Sequence, residues 1–63
     1  MEFKDKIKFV RHKLLLSQAE FAKVLGVAFS TINEWENGIR KPNYSMQRKF
    51  AEFCEDNKIV FDD

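Results

Sequence analysis

The chain has 63 residues, 44% of them hydrophobic, with a net charge of +1. That length supports one small core and excludes a second one, and no apolar stretch approaches the roughly 20 residues of a membrane span. A single cysteine, Cys54, excludes an internal disulfide, so the expectation is one domain over residues 1–63 in a reducing compartment, the cytoplasm.

The opening MEFKDKIKFV scatters its charges and matches no targeting segment. Within it Phe3, Ile7, Val10 and Leu14 repeat at helical spacing, with Lys4, Lys6, Lys8, Arg11 and Lys13 mostly off that face, which predicts helix one over residues 2 to 14. Leu14-Leu15-Leu16 forms a short connection. Ser17-x-x-Glu20 is then a capping box, in which each side chain satisfies the other residue's backbone N–H, and Leu16 and Phe21 flank it as a hydrophobic staple. Helix two is predicted from Gln18 to Val24 and helix three from Ala28 to Asn37, hinged on Leu25-Gly26-Val27. Gly26 supplies the backbone freedom the hinge needs, and Asn37-Gly38 ends helix three where a left-handed residue commonly sits. Two short helices on a hinge of that length form a helix-turn-helix, a unit that most often binds DNA.

Pro42 keeps Lys41 out of helical conformation, so Ile39-Arg40-Lys41-Pro42 reads as a loop. Asn43 is the expected N-cap of helix four, whose Met46, Phe50, Phe53 and Cys54 share one face, and Asn57 is its expected end. The tail, Lys58 to Asp63, contains Ile59-Val60-Phe61, which can pack, fray or pair with a second copy. Read as an exposed apolar run, it is the candidate dimer contact. No segment reads as a strand. The fold class is all-α.

Charge is unevenly distributed. Residues 1–49 hold ten Lys/Arg against five acids, whereas residues 50–63 hold only Lys58 against five. A molecule with one basic and one acidic end orients itself in the field of a phosphate backbone. Catalysis finds no footing, because His12 is the only histidine and neither Cys54 nor any serine has a base and orienting acid at suitable spacing. One Cys with one His builds no zinc site, and two glycines this far apart form no phosphate-binding loop. The chain is therefore expected to be no enzyme, with no cofactor, metal or small-molecule site, and Cys54 reads as a small core residue.

Ser17-Gln18, Ala22, Leu25-Gly26-Val27, Ser30-Thr31-Ile32, Trp35-Glu36-Asn37-Gly38 and Lys41-Pro42, in that order, closely resemble the Cro and phage-repressor family of DNA-binding domains, also called the xenobiotic response element family. The match spans residues 5 to about 54. The resemblance implies a compact bundle of four or five helices, lambda-repressor-like and usually dimeric. In such a bundle helix three enters the major groove and the start of helix two sits on the backbone. It further implies a phosphate contact from Gln18 and an ion pair between Arg11 and Glu36 that locks helix three to helix one. The chain ends soon after helix four, where many members continue further.

With Ile32 facing the core, Ser30, Asn33, Glu34 and Asn37 fall on the opposite side of helix three, with Phe29 at its leading end. Asn33 suits adenine and Glu34 the cytosine amino group. Phe29 with Ala28 can pack on a thymine methyl, and Ser30 suits a base or a phosphate. Gln18 with the N–H groups of its helix end suits a phosphate oxygen, and Arg40 and Lys41, with Asn37 beside them, form the second phosphate clamp. Trp35 and Ile32 read as core rather than base-stacking residues. Two departures stand out in helix three. Ala28 occupies a position where many members cap the helix, an omission worth about 1 kcal/mol, and no Arg, Lys or Gln occurs from Ala28 to Glu36.

These features together predict a sequence-specific binder of double-stranded DNA, a transcriptional regulator and more specifically a repressor, homodimeric at least on DNA and not associated with membranes. The alternative is a protein-interaction module on the same fold, such as an antitoxin or accessory subunit, docking through Phe29, Ile39, Tyr44 and the Ile59-Val60-Phe61 tail.

Overall fold

The apolar positions recur every three or four residues through most of the chain, and in the computed structural model, which describes residues 1–61, they coil it into four helices. These are α1 (Phe3–Lys13), α2 (Gln18–Leu25), α3 (Phe29–Glu36) and α4 (Tyr44–Asp56). Among the described residues there is no strand. The observed ends lie within a residue or so of those expected from capping signals: Ser17 caps α2, Asn43 caps α4, and Ala28 precedes α3 without any side-chain cap.

One device closes all four helices. An amide two or three residues past each helix end reaches back to a carbonyl five positions earlier: Leu16 to Arg11, Val27 to Ala22, Ile39 to Glu34 and Ile59 to Cys54. Each closure needs a left-handed residue just before it, and these are Leu15, Gly26, Gly38 and Lys58. Gly26 and Gly38 take that conformation without a Cβ clash, whereas Leu15 and Lys58 take it with one.

The core draws on every helix. Ile7 and Val10 come from α1, Phe21, Ala22 and Leu25 from α2, Ile32 and Trp35 from α3, and Phe50 and Cys54 from α4. Ile7, Val10, Phe21 and Ile32 are wholly enclosed, each such side chain contributing about 1.5 to 3 kcal/mol of transfer energy. Phe3 stands edge-on to Trp35 and Phe50 at 5.5 and 5.2 Å between ring centroids, which ties the start of α1 to both α3 and α4.

The tail corrects the expectation of an exposed apolar run. Lys58 reverses the chain with φ 55°, and the residues beyond it alternate in side-chain direction. Ile59 lands in the core, its amide 2.8 Å from the Cys54 carbonyl. Phe61 packs half-buried against Phe9 and Phe50, with Lys6 Nζ 5.2 Å from its ring. Of the three apolar residues only Val60 projects, at 80% exposure. Asp62 and Asp63, the last residues of the expected tail, lie outside the described residues.

Candidate nucleic-acid interface

The capping box sets where α2 begins. Ser17 Oγ accepts from the Glu20 amide at 3.0 Å and Glu20 Oε1 from the Ser17 amide at 2.8 Å. Those bonds hold the Glu20 carboxyl below its ordinary titration range. Between them sit Gln18 and Ala19, in the first turn where helix geometry supplies no acceptor for the amides. Gly26 then turns the chain so that α3 packs across α2.

α3 is two-sided. Ile32, Trp35 and Glu36 are buried, Ser30 and Asn37 are exposed, Phe29 is 54% exposed, and Asn33 and Glu34 are half-buried along the border. No side chain caps its start. Its place is held instead by the packing of Ile32 and Trp35 and by a polar chain that begins at α1. Arg11 Nε donates to Glu36 Oε2 at 2.6 Å, Nη2 to Oε1 at 3.0 Å, and Nη1 to the Leu16 carbonyl at 3.1 Å. Gln18 Nε2 donates to Glu36 Oε1 at 3.1 Å, while Gln18 Oε1 accepts from Asn33 Nδ2 at 3.3 Å. Asn37 Nδ2 closes the chain on Asn33, 2.8 Å from its carbonyl and 3.3 Å from Oδ1.

Electrostatics follow from that arrangement. Burial pushes the Glu36 carboxyl up, but hydrogen bonds from Arg11 and Gln18 and the Arg11 charge outweigh it, leaving the carboxyl below its ordinary range. The hydrogen bond to Glu36 raises Arg11 in turn, against the opposing effect of burial. Among the described residues no buried side-chain nitrogen or oxygen lacks a partner. Cys54 sits 5% exposed in the core, and desolvation raises its thiol pKa.

The positions named from sequence thus fall into two groups. Phe29, Ser30, Asn33, Glu34 and Asn37 lie on or beside one face of α3, and Arg11 and Glu36 are paired behind it. Three details differ from the sequence reading. The Gln18 side chain turns to Glu36 and Asn33, so its amide group is engaged within the protein. Asn37 engages its amide on its own helix, at the Asn33 carbonyl and Oδ1, as an i, i+4 amide pair can. Glu34 and Arg40, assigned separately to a base and a phosphate, meet at 3.3 Å. Their six-residue separation crosses the end of α3 and obeys no helical rule, so only opposite charge hinted at the contact.

Among the described residues no helix is long and apolar enough to cross a membrane, and no three or more His, Cys, Asp or Glu side chains gather as a metal site. No curated protein and no solved structure gives a significant match to the chain. A family model described as helix-turn-helix matches residues 7–55, which span all of α2, the hinge and α3. With that match over most of its length, the chain belongs to the Cro/C1-type helix-turn-helix family of DNA-binding transcription regulators.

Proposed function

We propose that the domain binds a specific sequence in double-stranded DNA, lays α3 in the major groove and represses transcription by occluding a promoter. The observation that carries this reading is the division of α3 into a locked inner face and a polar outer face beside the cations of the following loop. Asn33 is the principal base contact. It uses one N–H on Gln18 and one lone pair on Asn37, so a second N–H and a second lone pair remain for the paired groups on adenine. Glu34 accepts from cytosine while Arg40 offsets its repulsion by the phosphates, Phe29 packs on a thymine methyl, and Ser30 contacts a base or the adjoining phosphate. Arg40, Lys41, Asn37 and the start of α2 at Gln18 hold the backbone. One eight-residue helix reads few bases, so two copies pair on a two-fold site.

Selection of bound fragments from a random duplex pool tests this, with enrichment of one sequence expected. On that sequence Asn33→Ala costs about 1 to 3 kcal/mol at one base pair and leaves the salt dependence nearly unchanged. Failure to enrich any sequence overturns the reading. The exposure of Phe29, Ile39 and Tyr44, at 54%, 74% and 77%, favours a second reading as a protein-docking module. In that case binding to the partner persists at high salt, because apolar docking releases no counterions.

A further inference from the structure

Two arginines near α3 are each engaged by one of its own carboxylates, Arg11 by Glu36 at 2.6 Å and Arg40 by Glu34 at 3.3 Å. α3 contributes no cation itself. Charge for an anionic partner has to come from flanking segments, and two lysines at the C-terminal end of α3 form no ion pair among the described residues. One is Lys41 in the loop; the other, Lys4, arrives from the first turn of α1. The aliphatic stem of Lys4 crosses Gly38, its Cδ 3.3 Å from where a Cβ on that glycine would stand. Lys4, Arg40 and Lys41 line one cleft together with Trp35, Gly38, Phe3 and the single carboxylate Glu2.

We infer that Lys4 is a phosphate-binding residue that joins Lys41 and Arg40 on one stretch of DNA backbone at the C-terminal end of α3. The inference rests on the DNA-binding reading above and adds to it a contact from a helix outside the helix-turn-helix. Gly38 then has two duties: it takes the left-handed conformation that ends α3, and its bare backbone gives the lysine stem a surface to lie on. A stem held in this way loses less freedom when its ammonium meets a phosphate than one free in solvent. Lys4 also stands near the negative end of the α3 dipole. That role alone would affect the stability of the free protein and leave the ion dependence of binding untouched.

Lys4→Met separates the two roles, since it keeps the stem on Gly38 and removes the charge. Binding of fluorescent duplexes, one carrying the selected sequence and one unrelated, is measured by anisotropy over a series of salt concentrations, with helicity checked by circular dichroism. The expected result is a slope of log K against log salt that is shallower by about 0.9, with affinity near physiological salt about fivefold weaker on both duplexes. Lys4→Arg restores the slope. Lys13→Met, nine residues on and half a turn round α1, where Lys13 lies over the Phe9 ring, leaves it unchanged. A wild-type slope in Lys4→Met overturns the inference, whether or not the melting temperature falls. Should the wild-type chain itself bind no duplex in a salt-dependent way, the DNA-binding reading fails first and this inference with it.

Discussion

α3 is held by two arginine–glutamate pairs made of the same chemical groups, and they do different work. The inner pair, Arg11 with Glu36, has side chains 16% and 4% exposed and is tied to Gln18 and the Leu16 carbonyl by further hydrogen bonds. The outer pair, Arg40 with Glu34, has side chains 61% and 38% exposed and makes a single contact at 3.3 Å. In the low dielectric of the interior, two charges that fill each other's hydrogen-bonding positions fix an orientation, and removing either leaves an uncompensated charge. At the surface the same groups are screened and contribute little. The inner pair anchors α3 to α1. The outer pair can exchange for cytosine or phosphate at small cost, which suits it to the face proposed to meet DNA.

Breaking the inner pair has the largest expected effect. Glu36→Ala lowers stability by about 3 kcal/mol, because the half-buried Arg11 loses both carboxylate contacts, and urea titration reads this directly. An unfolding midpoint close to wild type would place the two pairs in one class. Acid sharpens the comparison through the same residue. Glu36 titrates below its ordinary value in the folded chain, so as pH falls the unfolded state takes up the proton first. The stability from its ionised form is full above the ordinary value of 4.5 and declines as pH falls through the folded-state pKa. Glu36→Gln therefore flattens the acid limb of a stability–pH profile. Glu20, lowered by its bonds to Ser17, keeps a residual slope of the same sign.

Ser17→Ala comes next. It removes the cap that sets the start of α2, and so the seat of Gln18 behind the inner pair, at a cost of about 1 kcal/mol in thermal unfolding. The smallest effect belongs to the outer pair. A double-mutant cycle of Glu34→Gln with Arg40→Gln in the free protein is expected to give a coupling of less than about 0.5 kcal/mol. A coupling above about 1 kcal/mol would make this pair a structural anchor as well, and its exchange for DNA groups would no longer be cheap.

Much of the scaffold could be read locally. The capping box at Ser17 and Glu20, the Asn43 cap and the Gly26 and Gly38 closures each involve residues within a turn of one another, so short-range spacing reveals them. The helix-three face was legible for the same reason, since a helical wheel needs only one anchored position, Ile32. The orientation of the Gln18 amide was not. That amide is shared between Glu36 on one side and Asn33 on the other, at separations of 18 and 15 residues, and no periodicity links them. The tail was misjudged because Lys58, a residue that rarely adopts positive φ, turns the chain back onto the core.

The sequence by itself determined the all-α class, the start, hinge and stop of the helix-turn-helix, and which side of α3 goes inward. Those properties follow from backbone hydrogen bonds and apolar spacing within a few residues. Only the tertiary structure decided which polar groups are engaged. It turned Gln18 inward, paired Arg40 with Glu34, folded Asn37 back on Asn33, laid Lys4 across Gly38, drew Ile59 into the interior and packed Phe61 against it. Long flexible side chains have several partners within reach along the chain, and which one they meet depends on how separate helices pack.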